Sequence, residues 1–205
     1  MPISADNSHY ELVGGVERCI DDELPFEIPE GWEWCRLSKV TRLITKGSSP
    51  KWQGISYTDE SKGILFVTSE NVGQEQLFLS QKKYVEKEFN EMHQSSILQK
   101  NDLLTNIVGA SIGRTALYDI NIENANINQA VCIIRPVNCA ISLYLLKYLN
   151  SFIAIQFMTK NSVDTARANL SLTSVGDLLV PLPPLAEQHR IVTQIEKLLP
   201  IIEKL

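Results

Sequence analysis

No apolar run in these 205 residues approaches the roughly 18 that a membrane-crossing helix needs, so neither a helical span nor a membrane partner is expected. The first residues are acidic rather than basic-then-apolar, which does not fit a secretory signal. Cysteine is scarce. Cys19, Cys35, Cys132 and Cys139 form no C-x-x-C pair, and His9, His93 and His189 fall near none of them. That pattern gives neither a zinc site nor a disulfide framework, so no metal is expected and the thiols are read as free in a reducing compartment, the cytoplasm. Catalytic signatures are missing too. There is no H-E-x-x-H, P-C-x-x-C or D/N-P-P-Y/F/W, and neither G-x-G-x-x-G nor G-x-x-x-x-G-K-S/T occurs. No residue stands out as a catalyst, and no internal repeat is visible.

What is present is the composition of an ordinary folded protein, 44% apolar and 21% charged, long enough for one sizeable core and an appendage. Its net charge of −5 is unevenly spread. Residues 1–35 hold nine acids against one base, Arg18, while the remainder has 18 bases and 15 acids. Between Arg36 and Lys51 there are five bases and no acid. Phosphate affinity depends on where cations sit more than on the whole-chain sum, so this body is compatible with a nucleic-acid partner.

Along the chain, residues 1–23 read as an acidic, flexible leader. Leu24–Leu37 is kept extended by Pro25, Pro29 and Gly31, with Phe26, Ile28, Trp32 and Trp34 as apolar anchors. Core packing is favoured for the tryptophans over base stacking, because Glu27, Glu30 and Glu33 beside them would repel phosphates. Ser38 to Thr45 suggests a short helix, with Leu37, Val40, Leu43 and Ile44 on one face and Gly47 as its stop. GSSPKWQGISYTDESKG is turn-rich and reads as a loop, either an ordinary surface loop whose Trp52 caps the core or a loop lying beside a ligand. Gly63–Thr68, Asp102–Gly109, Arg114–Tyr118 and an alternating stretch, Asn124–Pro136, read as strands. Lys87–Ile97 has helical spacing, and Ile141–Met158 reads as one apolar helix with Leu145, Leu149 and Phe152 in the core.

The chain closes with an apolar strand over Leu178–Leu182, then Pro183 and Pro184, which forbid its continuation and pre-set a helical turn, with Glu187 where the helix dipole favours an anion. In the helix, Ile191, Ile195, Leu198, Ile202 and Leu205 recur at spacings of 4 and 3, a narrow seam that needs a partner. Pro200 is expected to kink it near Glu196 to Leu199.

The string PLPPLAEQHRIV at 181–192 resembles the junction of type I restriction-modification specificity subunits (HsdS type), where a target-recognition domain hands over to a spacer helix. Further strings are similar to the same family: PFEIPEGWEWCRL, GSSP, VTSEN, DLLTNIVGASIGRTAL and the intact NQAV at 128–131. The resemblance implies an α/β (α+β) fold: residues 24–182 as a recognition domain with a twisted, partly barrel-like mixed sheet and flanking helices, and residues 183–205 as the start of a coiled-coil spacer helix. It implies a non-catalytic subunit that reads half of a bipartite site in double-stranded DNA and positions methyltransferase and restriction (translocase) subunits, S-adenosylmethionine, ATP and magnesium belonging to those partners. Lys46, Ser48, Ser49, Lys51, Asn71, Ser111, Arg114, Asn126, Arg167 and Asn169 fall at positions matching the family's loops and are candidate DNA contacts; Asn128 and Gln129 are as well suited to backbone bonding. Family members usually carry two recognition domains and two spacer helices, whereas this chain has one of each, so it is expected to pair with a second recognition domain or weakly with itself through the seam. An interaction module docking a protein through that helix, with no DNA role, is the alternative.

Overall fold

The computed structural model describes residues 8–162 and 168–202. Strands β1 (Tyr10–Val13), β2 (Val16–Cys19), β3 (Glu33–Arg36), β4 (Thr41–Lys46), β5 (Tyr57–Thr58), β6 (Gly63–Val67) and β7 (Tyr84–Glu86) precede a short helix, α1 (Glu88–Met92). Then come β8 (Leu103–Asn106), β9 (Thr115–Leu117), β10 (Asn126–Ile127) and β11 (Val131–Pro136), helices α2 (Ser142–Leu149), α3 (Phe152–Lys160) and α4 (Leu172–Asp177), strand β12 (Leu179–Leu182) and the closing helix α5 (Leu185–Ile202).

The sheet β4-β11-β8-β9 is antiparallel throughout and is buried on both faces, which is why its central strands read as continuous apolar runs. Side chains alternate along each strand, so Leu103, Cys132 and Ile134 face a core shared with α2, α3, α4 and α5. Leu104, Val131 and Ile133 face the other way, onto Leu65, Val67 and Ile127 of the second sheet, β10-β6-β7-β5. That sheet carries a small outer core, Ile64, Phe66 and Val85 under Phe89 of α1. The fold is therefore mixed α/β with flanking helices, and its sheets stack without closing into a barrel. A one-residue slip in β11 would turn Val131 and Ile133 from one core to the other, so the register is tightly specified.

Several elements differ from the sequence expectation. The helix expected over 38–45 is a single 3-10 turn, Leu37–Lys39, followed by β4. Thr41, Ile44 and Thr45 are β-branched, and pairing with β11 from Lys46↔Cys132 to Leu43↔Arg135 overrides the helical spacing. The alternating stretch 124–136 is two strands in different sheets, turned at Asn128, whose side chain accepts from Ala130 N (3.1 Å). Only Glu88–Met92 of the expected 87–97 helix is α-helical, followed by a 3-10 turn at Gln94–Ser96. The apolar helix expected from Ile141 breaks after Leu149. Asn150 stops α2 by donating to Leu146 O (2.9 Å) and grips β9 through Thr115 O (2.8 Å) and Thr115 N (3.2 Å). Ser151 then caps α3, and the chain bends by 74°. Phe152, expected in the core, is 77% exposed as a result. Among the described residues no single helix is long and apolar enough to cross a membrane.

Residues 10–23, read as part of a flexible leader, form the β1–β2 hairpin and a 3-10 turn, Asp21–Glu23, with Ile20 buried against Trp34 and Leu179. Their acids have a structural use. The buried Arg36 guanidinium donates to both oxygens of Glu11 (3.0 Å each), to Glu23 Oε2 (2.7 Å) and to Asp177 O (2.8 Å), and Arg18 pairs with the same two glutamates. Hydrogen bonds from Arg36 and Arg18 hold the Glu11 carboxyl down at about 2 against burial, which pushes it up.

Candidate nucleic-acid interface

Strand direction decides where the loops collect. β4 and β8 both run antiparallel to β11, so the chain leaving Lys46, the chain leaving Asn106 and the chain entering Val131 share one end of the sheet. β6 and β10 are parallel, and their ends meet that same edge: Asn128 N donates to Val67 O (3.0 Å) and Gly47 N to Val131 O (3.4 Å). A Cβ at Gly47 would stand 1.9 Å from Ile127 O, so only glycine lets the loop after β4 approach the backbone this closely. Further round, Gly109 N donates to Ala168 O and Leu170 N to Ile107 O (2.8 Å each), adding the segment at 168–170. Five connections thus form one loop-bearing end, opposite the edge where β8 and β4 begin.

Asn106, the last residue of β8, ties these loops together. It is fully buried, and its amide donates to Ser69 O (3.0 Å), Val72 O (3.4 Å) and Ser111 Oγ (3.1 Å), joining the segment after β6 to the β8–β9 connection. Its Oδ1 has no hydrogen-bond partner among the described residues. Sequence reading passed over it; the one signal was an asparagine closing an otherwise apolar strand.

The candidate contacts fall into three groups. Lys46, Lys51, Arg114 and Asn169 are exposed at the loop end, and the three cations have no ion-pair partner among the described residues. Ser48, Ser49 and Ser111 are half-buried there, Ser48 Oγ accepting from Gln53 Nε2 (3.5 Å) and Ser111 Oγ from Asn106. Asn71 and Asn126 are buried and spent on the fold. Asn71 accepts from Thr68 N (2.9 Å) and donates to Phe78 O and Gln81 O, while Asn126 donates to Asn90 Oδ1 (2.6 Å) and His93 O and accepts from Ile127 N. Buried and already bonded, neither amide is free to reach a base edge; residue type alone does not separate a buried structural asparagine from an exposed one. Arg167 lies outside the described residues. Of the open pair, Asn128 bonds its own turn, and Gln129 is half-buried with no side-chain bond among the described residues.

Electrostatically the loop end favours an anion more than the chain total suggests. Its acids Glu70 and Glu75 are neutralised by Lys83 and Lys147 (2.6 Å each), and the Lys83 hydrogen bond holds the Glu70 carboxyl below its ordinary range. The cations left over, Lys46 at the end of β4 and Lys51 and Arg114 in the connections, are exposed where phosphates can reach them.

The closing segment is docked on the domain before it leaves. β12 pairs with β3, and its other edge is covered by the phenols of α2: Tyr148 donates to Leu179 O (2.6 Å) and Tyr144 to Pro181 O. Burial pushes both phenols up from their ordinary range. Gln188 donates to Pro183 O (2.8 Å) and Trp32 Nε1 to Glu187 Oε2 (3.2 Å), so the helix start is bonded to the turn before it and to the strap leading into β3. The expected seam is divided. Ile191 packs on the domain's own core beside buried Val192, Ile195 is half-buried, and Leu198 and Ile202 are exposed; Leu205 lies outside the described residues. The first turns of α5 therefore have a partner within the chain, because α2 lies under them, and Pro200, expected to kink the helix, lies inside the helical span Leu185–Ile202.

Comparison with known proteins gives the same answer from several directions. The family model described as type I restriction modification DNA specificity domain matches residues 29–204. The chain is 29% identical over 180 residues to the type I restriction enzyme EcoBI specificity subunit of Escherichia coli, covering 86% of this chain and 37% of that one. To the EcoAI specificity subunit of the same species it is 26% identical over 195 residues, covering 90% and 31%. It thus spans about a third of the length of these curated relatives. In fold it resembles the crystal structure of the HsdS subunit from Thermoanaerobacter tengcongensis, with a TM-score of 0.64, 22% identity, and coverage of 88% of this chain and 40% of that one.

Proposed function

Since the chain belongs to the type I restriction modification DNA specificity domain family, we propose that it reads one half of a bipartite site in double-stranded DNA, in the cytoplasm, as part of a specificity subunit. The observation that carries the reading is the single loop-bearing end, where Lys46, Lys51 and Arg114 project without ion-pair partners among the described residues while the neighbouring acids are neutralised. Phosphate contacts from these cations fix register and orientation, and the half-buried polar side chains between them, with Gln129 and Asn169, face the base edges. α5 carries that orientation outward. Its exposed distal residues, Leu198, Leu199, Ile201 and Ile202, take the role of a pairing surface for a second spacer helix, from another recognition domain or a second copy.

The relatives are named as specificity subunits of restriction enzymes, and this chain is assigned the same division of labour. It supplies no catalyst; a methyltransferase and a restriction subunit are positioned by it and bring S-adenosylmethionine, ATP and magnesium. Titrating duplex DNA at rising salt tests the reading. Log-affinity should fall steeply with log-salt, by about 0.9 for each phosphate neutralised. Affinity insensitive to salt would sink it. Methylome sequencing of the source cell with and without the gene then identifies the half-site.

A further inference from the structure

Of three tryptophans, two are engaged inside the protein: Trp34 is buried in the core with Ile20 and Leu179, and Trp32 donates to Glu187. Trp52 is different. It is 73% exposed, although the sequence left open whether it caps the core, and it sits on the loop-bearing end directly beside Lys51. Its backbone is held firmly. It belongs to a 3-10 turn, Pro50–Gln53, whose Pro50 is buried, with Trp52 N donating to Ser49 O (3.1 Å), Ile55 N to Pro50 O (3.0 Å) and Gly54 closing the turn in the left-handed region at φ 72°. The loop is anchored at its other end by the close approach of Gly47 to Ile127. A large flat side chain is thereby offered to solvent from a rigid platform, next in sequence to Lys51 and in the same connection as Lys46, two exposed cations with no ion-pair partner among the described residues.

We infer that Trp52 is a DNA-contacting residue whose indole stacks on a nucleotide of the bound duplex, with Lys51 and Lys46 of the same connection contacting phosphates. The inference deepens the proposed DNA reading and rests on it. A polar residue would keep the turn equally well. An indole adds a π-face on which a base can stack where it is unpaired or drawn out of the duplex, as it must be when a partner enzyme acts on it. Occupancy by duplex DNA is favoured over a protein partner by the exposed cations of the same connection, Lys46 and Lys51, which have no ion-pair partner among the described residues, and by the polar serines, Ser48 and Ser49, in the same loop.

The test uses the full chain and a duplex enriched on it from a randomised pool, followed by indole emission. DNA should quench the emission of the wild type, and W52F should abolish most of the quench while keeping most of the affinity. W52A should weaken binding roughly tenfold to a hundredfold, the range for one aromatic–base stack, with the salt slope and melting temperature unchanged. Wild-type affinity in W52A, or a quench that persists in W52F, overturns the inference while the salt-dependent binding leaves the DNA reading standing. Quenching by an added methyltransferase subunit and not by DNA overturns it in favour of a protein contact. A pool that does not enrich, with no salt-dependent binding, removes the DNA reading and this inference together.

Discussion

Replacing Lys46, Lys51 and Arg114 by alanine together probes the loop-bearing end where it is most specific. All three are exposed and unpaired among the described residues, so no internal bond is lost and the fold should be unaffected. Each phosphate contact contributes about 0.9 to the slope of log-affinity against log-salt, so three account for about 2.7. Over a fourfold rise in salt, the wild type should therefore lose roughly 40-fold more affinity than the triple variant. The structure also supplies the control. Lys83 and Lys147 are cations of the same region, but each is already paired with a glutamate at 2.6 Å, so K83A or K147A should change the slope by much less than K51A. Anisotropy of a labelled duplex across a salt series reads all of these. A triple variant with the wild-type slope, or a K83A slope reduced as far as that of K51A, would refute the reasoning.

Three further outcomes are expected. Asp102 is completely buried and takes two hydrogen bonds from Arg135 (2.6 and 2.8 Å) and one from Gln99 N (2.7 Å), so D102A strands a guanidinium and should cost about 3–5 kcal/mol in urea unfolding, whereas D102L with R135M should recover most of it; equal losses in the single and double variants would contradict this. The folded-state value of Glu11 is lowered from 4.5 to about 2, so its stabilisation is complete above 4.5 and disappears as pH falls toward 2; thermal melts should show that acid loss flattened in E11Q. On α5, L198K with I202K should leave stability within about 0.5 kcal/mol and abolish concentration-dependent association in sedimentation, whereas V192D should unfold the domain's core.

What the sequence made legible were features governed by local chemistry. The prolines after Leu182 end a strand and start a helix, and the buried strands β6, β8 and β11 announce themselves as short β-branched or leucine-rich runs. The misread elements were decided by distant partners. Leu37, Val40, Leu43 and Ile44 have the spacing of an amphipathic helix, yet β11 lies alongside and captures the segment as a strand. The hairpin of residues 10–19 is too polar to look folded until Arg36, 25 positions beyond Glu11, supplies its counter-charge. At the candidate interface, residue type suggested ten contacts, but two of the asparagines are interior braces. Asn106, which sequence reading passed over, and the exposure of Trp52, which it left open, needed the stacking of the sheets to become visible.

The bonded junction has a mechanical consequence. α5 extends about 27 Å from its start, so angular slack of only about 5° at its root would displace its tip by roughly 2 Å. Two tyrosine phenols on β12, Gln188 on the proline carbonyl and Trp32 on Glu187 all act at that root, where stiffness is most effective. The helix is thus a lever arm with a clamped base. Loosening any of these bonds would blur the direction of the far end while leaving the loop-bearing end as it is.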